Sequence, residues 1–233
     1  MIRHLVNHTI VCDFRVQDVQ LGGQGAPLVP IGDELLFSEY DYCLNLGGFS
    51  NVSFNENGKR IAFDISPVNT VLNFYANELG FAYDDAGNIA KSGNVNKDLL
   101  KQLNGLEFYT LPYPKSLGME FVNAEIFPLM HSFQIDVKDK LRTFVEHIAV
   151  QVAKICCKSE ASLFITGGGA YNRFLIDRLS NYLPTTSIVI PDDKTIQFKE
   201  ALIFAFLGVL RLRNEINVLS SVTGAKENHS SGV

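Results

Sequence analysis

SLFITGGGAYN, residues 162–172, decides the reading of this chain. Residues 162–166 form a short apolar run rich in strand-favouring side chains. Gly167, Gly168 and Gly169 then remove three successive Cβ atoms before Asn172 opens a helical pattern over 172–182. Upstream, Leu141, Phe144, Val145, Ile148, Val152 and Ile155 recur at helical spacing, so 137–157 is expected as a long amphipathic helix. Downstream, 187–191 reads as a strand and 198–213 as an apolar helix. Earlier still, 42–54 and 60–65 are β-rich, and Asn57-Gly58 between them is a hairpin-turn signal. Residues 68–79 and 97–103 read as helices, and 9–14 as a short buried strand. Residues 104–118 and 214–233 read as irregular. A hairpin followed by helix–strand–helix–strand–helix predicts an α/β domain with a mixed β-sheet flanked by helices. A glycine turn at the C-terminal end of such a strand is where ligands tend to bind.

The chain has 233 residues, 46% hydrophobic and 19% charged, enough to bury a core and unlike a disordered segment. A net charge of −5 with scattered Lys and Arg excludes a nucleic-acid binder, which needs clustered cations. No apolar stretch approaches the ~20 residues that span a bilayer. The longest, 201–210, is stopped by Arg211 and Arg213. The opening residues 1–4, followed by His8 and Asp13, do not read as a signal-peptide core. Cys12, Cys43, Cys156 and Cys157 lack zinc-ligand spacing and read as reduced, buried cysteines of a cytoplasmic protein.

Three glycine-rich segments are the candidates for chemistry: Gly22-Gly23-Gln24-Gly25-Ala26-Pro27, Leu46-Gly47-Gly48-Phe49-Ser50-Asn51, and the segment opened above. Missing Cβ atoms let backbone N–H groups approach phosphate oxygens. Singly, each also fits a bulge or a tight turn, and none matches a P-loop or a Rossmann fingerprint. Together they fit a two-part nucleotide site, with Gly47, Gly48 and Asn51 at the phosphates and Gly167, Gly168, Gly169 and Asn172 along the adenosine. That arrangement resembles the actin-like, ribonuclease H-like ATPases.

The strings DFRVQDVQLGGQGAPLVP (13–30), NLGGFSN (45–51), FDISPVN (63–69), PKSLGME (114–120), TGGGAYN (166–172) and SVTGA (221–225), with Glu200-Ala201 before Phe204-Ala205, resemble the anhydro-N-acetylmuramic acid kinase family in that order. The resemblance implies a kinase that opens the 1,6-anhydro ring with water and phosphorylates O6, using ATP and Mg²⁺. It implies Asp64 as the base that activates water, with Asp13 as the competing carboxylate or a salt-bridge partner of Arg15. Arg15, Gln24, Asp13 and Glu200 would bind the sugar, unless Glu200 is only a helix-start charge. Lys115 reads as solvent-facing, Asp84-Asp85 as turn formers, and Glu146-His147 as a surface or partly buried pair. Ile65 to Val68 and Met119 depart from the family's usual residues, though Ser66 keeps a hydroxyl. No GTSxDG-type first phosphate segment occurs. Residues 1–233 are therefore expected to be a second lobe without its first, with 1–30 as an access segment to the sugar site. Its partners would be the amino sugar and ATP, together with a second copy or another protein over the surface a first lobe would cover. A non-catalytic nucleotide- or sugar-binding remnant of the family is the alternative.

Overall fold

The computed structural model describes residues 7–233. The reading of residues 1–4 lies outside them. Five strands form one sheet in the order β3-β2-β1-β4-β5. They are β1 (Tyr42–Leu46), β2 (Phe49–Glu56), β3 (Lys59–Pro67), β4 (Ser162–Thr166) and β5 (Ser187–Val189). β1 and β4 run parallel, with Tyr42 opposite Leu163 and Leu44 opposite Ile165, and β4 and β5 are also parallel. Asp41 sets that register. Its carboxylate accepts the Ser162 N–H at 2.8 Å, and Ser162 Oγ accepts the Asp41 N–H at 2.9 Å. The mixed sheet flanked by helices is the one expected from the sequence.

The chain divides into two compact units. The larger comprises Glu39–Ser53 and Phe63–Gln197. Its centre is helix Val137–Ile155, which packs against helices Asn69–Glu78, Lys97–Asn104 and Arg173–Tyr182. The helical stripe read from the sequence is its buried face: Leu141, Phe144, Val145, Ile148 and Val152 are fully covered. Each contributes roughly 1.5–3 kcal/mol. Asn96 and Asn172 start two of the neighbouring helices by accepting the N–H of Leu99 and Leu175.

Glu146 and His147 are both buried, deeper than the surface or partly buried pair expected. Glu146 accepts two hydrogen bonds from Arg178, at 2.7 and 2.8 Å, and one from Tyr182 Oη at 2.6 Å. Burial opposes its charge, but these donors outweigh burial and hold the carboxyl below its ordinary range. The Asn104 side-chain oxygen accepts from Gln151 Nε2 and lies 2.7 Å from His147 Nδ1. Since that oxygen only accepts, Nδ1 carries the proton. Nε2 has no partner among the described residues, so the ring is neutral. Burial, aided by the Lys154 charge, pulls its pKa down to about 3. The unfolded histidine binds a proton near pH 6.5 and the folded one does not. Stability is therefore expected to fall as pH drops from about 6.5 towards 3. At pH 5 the loss is about 2 kcal/mol by linkage, at 1.36 kcal/mol per pH unit. Urea titrations of the parent and His147→Gln at pH 7 and pH 5 check this, because the variant should lose that part of the pH dependence.

The smaller unit comprises Met1–Ser38, Phe54–Ala62 and Phe198–Val233. Leu28, Ile31, Ile203, Leu207, Leu210 and Val218 form its core. Gly32 lets two segments close up, since a Cβ there would lie 2.5 Å from Ile203 Cγ1. A buried Lys199–Asp33 ion pair at 2.6 Å lies beside this contact. Residues 9–14 are not a strand. Cys12 exchanges two backbone hydrogen bonds with Val233, and Asp13 then turns left-handed at φ 59°, which ends the extended run. Cys12 and Cys157 are exposed, whereas Cys43 and Cys156 are buried. The tail, expected to be irregular, carries the short helix Ser220–Thr223 and an antiparallel bridge between Val218 and His229. It is held by Asn217, whose side chain bonds Leu207 and both backbone groups of Ser231. Among the described residues, no helix is long and apolar enough to cross a membrane.

Candidate nucleotide cavity and its neighbouring carboxylate

At the C-terminal end of β4, the three glycines do different work. A Cβ on Gly167 would lie 2.5 Å from Asn45 Oδ1 and 2.9 Å from the Leu46 carbonyl, and its φ is +82°. A Cβ on Gly169 would lie 2.6 Å from Leu46 Cβ. These two glycines let the turn pack on the end of β1. Gly168 is exposed, and a Cβ there would meet nothing closer than Asn69 Nδ2 at 3.5 Å.

Gly168 lines a cavity of about 460 Å³ together with Tyr171 and Asn172, Asn69, Leu72 and Asn73, and Tyr83 to Ala86. That volume suits a small organic ligand. Asn172 caps its helix and also seats on Gly87, where a Cβ would lie 2.2 Å from its Oδ1. One side chain thus ties the glycine turn to the Tyr83–Ala86 wall. Asp84 acts as the turn former expected, its two oxygens accepting the N–H groups of Ile89 and Ala90 at 2.8 and 2.9 Å. The contribution of Tyr83 and Asp85 to a cavity wall was not legible in a sequence that reads there as a plain turn.

Gly47 and Gly48 form the β1–β2 turn. Their carbonyls accept the N–H groups of Val68, Asn69 and Thr70, which occupies the start of helix Asn69–Glu78. Asn69 joins this turn to the cavity. Asn51 is exposed on β2 and does not line it. Ser66 is fully buried, with Ser50 Oγ accepting its N–H and pairing with its hydroxyl, and Val68 is a core residue. The Ser66 hydroxyl is therefore a packing group.

Asp64 lies on β3, five residues before Asn69. At about 3.5 Å per residue its Cα is within about 18 Å of that cavity residue. The 114–118 segment holds Asp64 in place. Lys115 O accepts the Asp64 N–H at 3.0 Å, and the Leu117 N–H donates to Asp64 Oδ2 at 2.8 Å. Oδ1 has no partner among the described residues. Burial raises the Asp64 carboxyl above its ordinary range, opposed by the Leu117 hydrogen bond. Lys115 is not solvent-facing: Nζ donates to Phe108 O at 3.0 Å and lies 4.6 Å from the Phe108 ring centroid. Burial lowers its pKa, with Lys154 adding to the effect. It anchors the segment that holds Asp64.

In the smaller unit, Arg15 donates to the Gly25 carbonyl at 2.6 Å, and no Asp13–Arg15 ion pair occurs among the described residues. Asp13, Arg15 and Gln24 are exposed. The buried organiser of that loop is Asp18, which accepts the Gly25 N–H and the Thr223 hydroxyl, both at 2.7 Å. Asp18 lies within the 13–30 string, but nothing in its local sequence marks it as the buried carboxylate. Glu200 is exposed seven residues into helix Asp193–Leu212, so it is not a helix-start charge.

The fold and cavity define a mixed-sheet α/β protein with a ligand-sized crevice at the C-terminal end of its parallel strands. The chain belongs to the anhydro-N-acetylmuramic acid kinase family, whose model matches residues 1–233. It is 34% identical over 235 residues to the anhydro-N-acetylmuramic acid kinase of Aliivibrio fischeri, covering 96% of this chain and 64% of that protein. It is 36% identical over 240 residues to that of Coxiella burnetii, covering 97% and 64%. For the Shewanella putrefaciens protein the values are 36% over 236 residues, 93% and 62%. The chain thus spans less than two thirds of the length of these relatives. Among solved structures it is similar to the activator of the 2-hydroxyisocaproyl-CoA dehydratase from Clostridium difficile with bound ADPNP. That match has a TM-score of 0.48 at 15% identity, over 75% of this chain and 61% of that one. Component A of the Acidaminococcus fermentans (R)-2-hydroxyglutaryl-CoA dehydratase matches with a TM-score of 0.47 at 16% identity, over 75% and 63%.

Proposed function

We propose that this chain provides the nucleotide cavity and the catalytic carboxylate of an ATP-dependent kinase acting on 1,6-anhydro-N-acetylmuramic acid. The observation that carries the reading is the cavity under Gly168 and Asn172, joined through Asn69 to the strand that bears Asp64. ATP seats its nucleoside in the cavity, with its phosphates towards Gly47 and Gly48. Asp64, with Oδ1 free and its carboxyl raised by burial, takes the proton from the water that attacks the anomeric carbon. The anhydro C1–O6 bond breaks, and O6 accepts the phosphoryl group. Arg15, Gln24, Asp13 and Glu200 are proposed to face the sugar.

Among the described residues there is no cluster of three or more His, Cys, Asp or Glu for a metal. A Mg²⁺ here would be held chiefly by the phosphates, neutralising their charge, as is usual for this ion. Such a reaction needs a supply of ATP, and a cytoplasmic location is proposed on that ground. A second copy, or a separate partner, would complete the sugar site.

Two measurements test the reading. ATP binding by calorimetry should be detectable and should weaken at least tenfold in Gly168→Phe, whose ring fills the cavity. The melting temperature should stay unchanged, because Gly168 has no strained φ and open space above it. Together with the partner that completes its sugar site, the chain should also transfer phosphate from ATP to the anhydro sugar. An absence of ATP binding, or full binding in Gly168→Phe, overturns the cavity assignment.

A further inference from the structure

We propose that the Asp85 carboxylate binds the ribose diol of the nucleotide, so that the cavity selects ribonucleotides over 2′-deoxyribonucleotides. The inference rests on the nucleotide reading above and goes on to name which atoms of the ligand the acidic wall recognises.

Asp84 and Asp85 are adjacent but differently committed. Both oxygens of Asp84 are taken by backbone N–H groups, and the residue is buried. Asp85 is exposed on the cavity wall, and its carboxylate has no partner among the described residues. Only its main-chain oxygen is used, by Asn88 Nδ2 at 2.9 Å. Ala86 and Gly87 follow with φ of 53° and 75°. The left-handed region is costly for alanine. This turn keeps Tyr83, Asp84, Asp85 and Ala86 together on one wall.

A charged carboxylate sets the polarity of the ligand. Placed 4 Å from a phosphate oxygen, it would repel it by about 4 kcal/mol at the dielectric of a protein surface. The phosphates therefore leave the cavity on the side away from Asp85, past the uncharged Asn69 and towards Gly47 and Gly48. Near Asp85 the ligand must offer neutral donors, because an ionised carboxylate only accepts. A ribose presents two adjacent O–H groups, which one carboxylate can bind with charge-assisted hydrogen bonds. The exposed rings of Tyr83 and Tyr171 on the same cavity offer flat apolar faces to the base. That leaves the sugar to the carboxylate.

The test is competitive binding of ATP, 2′-deoxy-ATP and inosine triphosphate to the parent chain and to Asp85→Ala, with melting temperatures to confirm folding. The parent should prefer ATP over 2′-deoxy-ATP by about tenfold, the scale of one charge-assisted hydrogen bond. Asp85→Ala should bring the two within about twofold while still binding ATP. A preference that survives in Asp85→Ala, or is absent from the parent, overturns the inference and leaves the nucleotide reading standing. So does a variant that loses discrimination against inosine triphosphate alone, which would place Asp85 at the base. A parent chain that binds none of the three overturns the cavity reading, and this inference with it.

Discussion

Asp64→Asn is expected to lower kcat for ring-opening phosphorylation of 1,6-anhydro-N-acetylmuramic acid by about 10²- to 10⁴-fold, the usual contribution of a positioned general base. The fold should survive the change. Asparagine is isosteric, and its side-chain oxygen can still accept the Leu117 N–H that Asp64 Oδ2 accepts. The Asp64 backbone N–H keeps Lys115 O in either case. Nucleotide affinity should change less than threefold, because Asp64 does not line the cavity. In the parent, the acid limb of kcat/KM should lie above the ordinary carboxylate range, since burial raises this carboxyl. Activity is lost as pH falls through that pKa, because only the ionised form takes a proton. Turnover that survives Asp64→Asn, or an acid limb at the usual carboxylate position, would remove Asp64 from the role of base.

The segments legible in the sequence were those where one local pattern has one structural answer. The apolar run 162–166 could only be a buried strand, and the stripe from Leu141 to Ile155 only a helix face. Asn57-Gly58 fixed a hairpin. The family strings single out Asp64 as a candidate, but not what holds it. The reach of Leu117 to Asp64 spans 53 residues of sequence, and no local pattern encodes such a contact. Lys115, Glu146 and His147 are more covered than their polar side chains suggest: Arg178 and Asn104 reach Glu146 and His147 from distant segments, and Phe108 meets Lys115 from seven residues away. Residues 9–14 misled in the opposite sense. Their β-prone composition is real, but the backbone pairing with Val233 is made at Cys12, and one left-handed aspartate is enough to stop a ladder. The wall from Tyr83 to Ala86 was hidden because an Asp-Asp-Ala-Gly turn has the same sequence whether or not it faces a cavity.

Replacing Gly167 by alanine is expected to destabilise the protein by about 3 kcal/mol, whereas the same change one residue later should move it by less than about 0.5 kcal/mol. At Gly167 two penalties combine. A side chain at φ +82° is strained by roughly 1–2 kcal/mol. Its Cβ would also lie 2.5 Å from Asn45 Oδ1 and 2.9 Å from the Leu46 carbonyl carbon and oxygen. The Leu46 atoms are backbone at the end of β1, a strand paired with β4, so relief requires moving one strand against the other. Overpacking of this kind costs about 1–3 kcal/mol. The entropy that alanine removes from the unfolded chain, about 0.4–1 kcal/mol, offsets only part of this. At Gly168 neither penalty arises: its φ lies outside the left-handed region, and the nearest atom is at 3.5 Å. Urea unfolding of the two variants reads the difference directly. For a chain of this size 3 kcal/mol corresponds to a fall in Tm of about 6–12 °C. Equal stability of Gly167→Ala and Gly168→Ala would mean that the turn does not pack on β1 as described, and would withdraw the support that fixes the cavity wall at Gly168. A large loss in Gly167→Ala alone would show that the first glycine of the run serves the fold, while the second is free of that constraint.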